Sequence, residues 1–441
     1  MSITQKLLLG LALSLSLTAC GGGKQPAFWN VTDSRFYKGT EGPYYFIGTN
    51  MWYGPLLASD TYAAAPERLA AELDSLKAIG MTNLRVLVGA DGSDGIYSKV
   101  EPTLQKAPGE YDENVFVGLD RFLVELGKRD MSAVLYLNNA WEWSGGFGQY
   151  LEWAGVGKAL STVDANWREY CERNSQFSTN ARAKEMFADH VKAVVSRVNT
   201  ITGKPYSEDP AIFSWQICNE PRFFLARDEI REDFVQWLFS TAALIKSIDP
   251  NHMVSTGSEG SLGCEGEMDT FIRVHSCPDI DYLTMHIWPL NWSWVSKDSL
   301  GEDLQNAINN TDEYIAAHIE AAETVGKPLV LEEFGFPRDG FAFAKGTPVT
   351  LRDRYYANAF AHLLKSAREG GVFSGINFWT FGGLAEQNPE HIMWQKGDDY
   401  CGDPAQEQQG LNSVYLSDRS TIDLIRDYCR SIAAAMSDDG K

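Results

Sequence analysis

The chain is short of positive charge. Lys and Arg together number 38 against 59 Asp and Glu, a formal net charge of −21 over 441 residues. A surface of that sign repels a phosphate backbone, which excludes nucleic acid as a partner, and it cannot dock electrostatically on anionic lipid. Several catalytic patterns are missing as well. No His, Cys and Asp residues fall at metal-ligand spacing, no glycine-rich loop is set to cradle a phosphate, and no Gly-x-Ser-x-Gly elbow presents a serine. The sequence calls for no metal and no cofactor. Internal repeats are absent, and the apolar run Leu7 to Leu17 is too short to span a bilayer as a stable helix. What the chain does have is hydrophobic residues at 44%, enough for a large core, and aromatics at 12% with 13 Trp. Many of these Trp fall between the predicted strands. Loop tryptophans suit stacking on flat apolar faces such as sugar rings, with packing inside the loop as the plainer alternative.

The first residues are read apart from the fold. Lys6 precedes the Leu7–Leu17 run, and Leu17-Thr18-Ala19-Cys20 follows, so residues 1–19 read as a signal peptide. Cys directly after Leu-Thr-Ala resembles the bacterial lipoprotein box. That resemblance implies lipidation of Cys20, a membrane anchor at the mature N-terminus, and a place in the cell envelope facing the periplasm or the cell surface. Residues 20–27 are then the lipidated Cys and a flexible Gly-rich tether, and residues 28–441 form one catalytic domain, expected to be monomeric. Export permits disulfides. Cys264 and Cys277 flank what reads as a short loop and are the best local pair. Cys218 reads as a buried free thiol.

Beyond the tether the pattern alternates. Residues 35–50 read as a hairpin with its turn at 38–43, and the second arm enters the fold as a first strand delivering Asn50 and Trp52. Strands follow near Asn83–Val88, Ala133–Leu137, Ile212–Cys218, Met253–Thr256, Asp281–His286, Pro328–Leu331 and Ile376–Trp379, with helices predicted over about 66–79, 115–129, 180–199, 230–247, 304–325, 352–369 and 418–436. Eight strands with intervening helices predict an α/β fold of the (β/α)8 TIM-barrel type, with an N-terminal hairpin and long βα loops. The long connections 138–180, 287–303 and 380–417 all follow strands, which is the catalytic face of such a barrel.

The strand ends carry the chemistry. Trp215-Gln216-Ile217-Cys218-Asn219-Glu220-Pro221 is an apolar strand stopped by proline, leaving Glu220 at the rim. Leu329-Val330-Leu331-Glu332-Glu333-Phe334-Gly335 answers it with a second carboxylate. Side chains alternate along a strand, so only one of Glu332 and Glu333 is expected to point inward, and Glu333 is the choice. Two facing carboxylates are what glycoside hydrolysis uses: Glu220 as acid and then base, Glu333 as nucleophile, about 5–5.5 Å apart if configuration is retained. Arg85, inside a strand, needs a carboxylate partner and would keep the nucleophile ionised, a structural salt bridge being the alternative. Asn219 would bond the sugar 2-hydroxyl. Asn138, at the end of strand three, can bind hydroxyls or simply form a turn. His286 would orient the acid/base or hold a hydroxyl, Trp379 would lie under the cleavage point, and Trp52, Trp141 and Trp288 are further candidates for sugar contact.

Taken together these residues resemble glycoside hydrolase family 5, and most closely its bacterial endo-β-1,4-mannanases. The match rests on Asn219-Glu220-Pro221, Glu333-Phe334-Gly335, Arg85, His286 and Trp379, with Asn138-Asn139-Ala140-Trp141, Gly145-Gly146 and Gln149-Tyr150 pointing to the mannanase branch. It implies hydrolysis of internal β-1,4 bonds in mannan, glucomannan or galactomannan. One departure is His286-Ile287-Trp288, where many members carry His-x-Tyr and the Tyr hydroxyl touches the nucleophile. The alternatives are a β-1,4-glucanase of the same family and a glycan-binding lipoprotein without catalysis.

Overall fold

The computed structural model describes residues 27–438. The leader, Cys20 and most of the tether lie outside them. Eight parallel strands run Phe46–Asn50, Asn83–Leu87, Ser132–Tyr136, Ile212–Gln216, Met253–Ser255, Leu283–Ile287, Leu329–Phe334 and Phe373–Phe378, in sequential order around one sheet. The fifth and sixth strands close the circle through Asp281 N–H to Val254 C=O (2.8 Å) and His286 N–H to Glu259 C=O (3.1 Å). Every strand residue is buried, as expected for strands covered by helices outside and by barrel side chains within. This is the (β/α)8 barrel.

The outer helices form where the apolar period and the caps agree. Pro66–Ile79 starts on proline, whose fixed φ suits a first turn, and stops at Gly80, which takes φ 106°. Ala181–Val195 is capped by Asn180, whose side chain accepts from Ala183 N–H. One barrel helix, Met268–His275, falls where the sequence reads as a short loop between Cys264 and Cys277. It corrects the expected disulfide. A helix of that length is about 12 Å long, and it stands in the chain between the two cysteines, which are not bonded to each other. Both are buried free thiols, as are Cys171, Cys218, Cys401 and Cys429.

The hairpin is also displaced. Its paired arms are Trp29–Thr32 and Arg35–Lys38, turning at Asp33 and Ser34, and the expected 38–43 turn leads only to a single bridge between Phe36 and Tyr44. The two hydrophobic residues Trp29 and Phe36 plug the N-terminal end of the barrel. They pack with Phe46, Phe213 and Tyr282, Phe36 lying 5.1 Å from Phe213 and 5.2 Å from Tyr282 between ring centres. Each such buried ring contributes roughly 1.5–3 kcal/mol of burial, and together they seal the end of the barrel opposite the strand C-termini.

Candidate active site

At the C-terminal face the third and fourth strands keep their ladder past their formal ends. Asn219 N–H donates to Asn138 C=O (2.7 Å), Ala140 N–H to Asn219 C=O (2.9 Å), and Glu220 N–H to Gly257 C=O (2.9 Å). Glu220 itself adopts φ 49°, a left-handed conformation that a non-glycine residue occupies at a cost and that here turns its carboxylate into the mouth. Trp141 and Trp288 donate their indole N–H groups to Glu220, the latter at 3.2 Å to Oε1, and His286 Nδ1 lies 2.7 Å from the same oxygen.

On the seventh strand the register slips: Leu331 faces Met285 and Glu333 faces His286, so Glu332 is the extra residue of a bulge. Strict alternation fails there, and both glutamates are buried inside the barrel. This corrects the expectation that only one would point inward. Glu332 receives Gln216 Nε2 at 2.7 Å and the Tyr282 hydroxyl at 3.3 Å, deep below the mouth. Glu333 is the one at the cavity. Arg85, fully buried, donates to Glu333, to Asn50 Oδ1 (3.1 Å), to Gln216 Oε1 (2.8 Å) and to Asn219 Oδ1 (2.7 Å), lies 3.5 Å from Glu332, and packs over the Tyr136 ring. A rigid five-donor guanidinium can serve that many acceptors at once; an ammonium cannot.

One oxygen of Glu220, one of Glu333 and one nitrogen of His286 lie within 4.8 Å of one another. These three groups could hold a cation on geometry alone, but Arg85 already supplies a fixed positive charge to Glu333. The two carboxylates are close enough that both cannot carry charge cheaply. Burial pushes Glu333 well above the usual carboxylate range, Glu220 adds to the push, and Arg85 pulls against both. Burial works on Glu220 too, but the His286, Trp141 and Trp288 donors outweigh it and hold Glu220 below the usual range. The two carboxyls titrate as a coupled pair, and the form competent for acid catalysis is the one with the proton on Glu220 and the charge on Glu333 beside Arg85. His286, driven down to about 4 by burial, is neutral and acts as a hydrogen-bonding partner to Glu220.

Around the pair opens a cavity of about 510 Å³ walled by Trp141, Trp143, Trp167, Trp288, Trp292 and Trp379, with Asn219, Arg222, Glu259, Gln406 and Glu407 among its polar groups. Asn219 has its carbonyl taken by Arg85 and one N–H by Asn139 (3.1 Å), which leaves one N–H for a hydroxyl. Arg85 and His286 are buried behind the two glutamates rather than on the cavity wall, and two further candidates fall elsewhere. Trp52 spends its indole N–H on Gly402 C=O and packs edge-on against Trp143 and Tyr400, so it props the cavity wall from behind. Asn138 offers its backbone carbonyl to Asn219, and its buried side chain is not part of the cavity lining. Trp288 does not take over the Tyr contact to the nucleophile: its indole serves Glu220, and Glu333 instead has His286 Nδ1 at 3.4 Å.

Sequence reasoning missed Glu259, Arg222, Trp167, Gln406 and Glu407. Glu259 lies just beyond the fifth strand, the same strand-end signal that marked the others. Burial and Glu220 drive it up to about 8 against the pull of Arg222, 3.3 Å away. Gln406 and Glu407 come from the long 380–417 connection, where no periodic pattern marks them.

This arrangement agrees with what the whole chain matches. A family model described as GH family 5 beta-mannosidase-like covers residues 26–437. The chain belongs to glycoside hydrolase family 5. Within that family it is 33% identical over 354 residues to mannan endo-1,4-beta-mannosidase 1 of Arabidopsis thaliana, a match covering 76% of this chain and 77% of the relative. The crystal structure of a glycoside hydrolase family 5 mannosidase from Rhizomucor miehei superposes with a TM-score of 0.85 at 31% identity, covering 94% of this chain and 100% of that one. The hyperthermostable endo-1,4-beta-D-mannanase of Thermotoga petrophila RKU-1 superposes with a TM-score of 0.63 at 25% identity, over 88% and 99% of the two chains. The family 5 assignment accounts for the barrel, for the paired strand-end glutamates and for the aromatic walls around them.

Proposed function

We propose that this family 5 chain is a retaining endo-β-1,4-mannanase acting on mannan, glucomannan or galactomannan. The observation that carries the mechanism is the approach of Glu220 and Glu333 oxygens to within 4.8 Å. Retaining glycosidases hold their carboxyls about 5–5.5 Å apart, whereas inverting ones leave about 6.5–9.5 Å for a water. The substrate class is supported by relatives named as mannan endo-1,4-beta-mannosidases.

In this reading Glu333 attacks the anomeric carbon while Glu220 gives its proton to the bridging oxygen, so the C–O bond breaks and the leaving sugar departs as a neutral alcohol. Glu220, now ionised, takes a proton from water. The water oxygen attacks the anomeric carbon, the ester to Glu333 breaks, and two inversions give net retention. Arg85 favours the charge distribution this requires, because positive charge building at the anomeric carbon faces a carboxylate that the guanidinium already stabilises. Asn219, with one free N–H, is placed to bond a hydroxyl of the sugar under attack.

We propose in addition that the chain is exported, lipidated at Cys20, and works as a monomer at the cell envelope. Loss of palmitate labelling and of membrane sedimentation in Cys20→Ser would support this, and unchanged labelling would refute it.

The deciding experiment is sugar release from galactomannan, glucomannan and carboxymethyl cellulose with product sizes resolved. Mixed short manno-oligosaccharides are expected. Mannose as the sole product would replace endo with exo action, activity on cellulose alone would make the chain a glucanase, and inactivity on all three would leave a glycan-binding protein.

A further inference from the structure

The far wall of the cavity holds an aromatic surface that the chemistry described above does not use. Trp141, Trp167 and Tyr170 lie within 24° of parallel, with ring centres separated by 6.1, 5.9 and 5.9 Å. Each ring centre thus lies about 6 Å from the other two, in a cluster of three nearly parallel rings. Tyr170 is buried, but Trp167 is 54% exposed and lines the cavity. An indole left that open, where it could have been packed away, offers flat apolar area to something else.

Its placement is fixed. Trp167 is the first residue of the helix Trp167–Asn174, whose preceding Asn166 accepts from Arg168 N–H at 2.9 Å. The stretch leading into that helix is tied to the catalytic loop by one carboxylate: Glu142 receives both Thr162 N–H and the Thr162 hydroxyl at 2.6 Å, and the Tyr170 hydroxyl at 2.9 Å. The cluster also has a direction. Trp141, its inner member, donates to Glu220, the group that must touch the bridging oxygen. The sugar bonded to that oxygen as leaving group therefore runs out over Trp141, and the next one reaches Trp167.

We infer that Trp167 is a stacking platform for the distal sugar on the leaving-group side, and that it sets a preference for substrates extending at least two sugars past the cleaved bond. The inference rests on the glycan-hydrolase reading above, but not on which sugar the chain prefers.

The test is Trp167→Ala assayed on manno-oligosaccharides of graded length and on an aryl β-mannobioside, whose leaving group carries no sugar. We expect kcat/KM for mannohexaose to fall roughly five- to tenfold, the size of one lost aromatic stack, while the aryl substrate stays within about twofold. Trp167→Phe should recover most of the loss, because it restores a flat ring. An equal fall on all substrates would mark Trp167 as merely structural, and no fall on mannohexaose would mark it as idle; either overturns the inference. If the wild type proves to prefer gluco-oligosaccharides, the mannan reading fails, and the same length series on those substrates decides the platform separately.

Discussion

Arg85→Gln is the substitution most exposed to refutation. The guanidinium bonds Glu333 directly and stands 3.5 Å from Glu332, both carboxyls being buried and both pushed up by that burial. A unit charge about 4 Å away at an effective dielectric near 20 is worth about 4 kcal/mol, or about 3 pH units, and carboxylates beside an Arg are observed to shift by about 1–3. Removing Arg85 should raise Glu333 by that amount. The nucleophile must be ionised, so the acidic limb of the kcat/KM profile should move about 1–3 units to higher pH. Measured on that limb with an aryl β-mannoside, the variant should lose roughly 10- to 1000-fold. Stability follows with a definite sign. Both carboxyls would sit still further above their unfolded values, so the variant's deficit should be small near pH 4.5 and grow as pH rises, reaching about 3–5 kcal/mol. A slower enzyme whose acidic limb has not moved would refute the argument that Arg85 keeps Glu333 ionised.

Glu333→Gln should lower hydrolysis of every substrate by about 10⁴-fold or more, while Glu220→Gln should spare formation of the covalent intermediate from substrates with activated aryl leaving groups, which burst kinetics would reveal. Glu259, held up to about 8 by burial and Glu220, keeps a proton in the native state that the unfolded chain releases, so wild-type stability should fall between about pH 4.5 and 8. Glu259→Gln removes the part of that fall that belongs to Glu259. It should be the more stable protein at pH 8, by about 1–3 kcal/mol in urea titrations, because Arg222 keeps Glu265 as a partner at 3.1 Å. The six described thiols are buried and unbridged, so reductant should leave the Tm unchanged, and all six should react only after unfolding.

The elements that could be read from sequence are those in which local pattern and global fold agree. Strand four ends in Asn219-Glu220-Pro221 because proline stops the ladder, and that is visible in one dimension. Glu332 misled because a bulge breaks the alternation on which the inward count relied. Met268–His275 escaped because two turns between glycine and cysteine give too little periodicity to register. Trp52 looked like a sugar contact by position alone, but its N–H is committed to Gly402. The 380–417 connection was opaque for a physical reason: Asp403 gathers Gly410 N–H, Asn412 N–H and the Ser413 hydroxyl, while Arg68 holds the Tyr400 carbonyl at 2.7 Å. Its shape comes from side-chain bonds that cross the loop and from the long-range tie to Arg68, neither of which leaves a periodic pattern in the sequence.

The aromatic plug built by Trp29 and Phe36 has an orienting consequence. The described chain begins at the sealed end of the barrel, while the catalytic cavity opens at the opposite end. Any attachment made through the start of the chain, to a bead, a partner domain or a lipid sheet, would point the open cleft away from its support and toward the polymer arriving from outside.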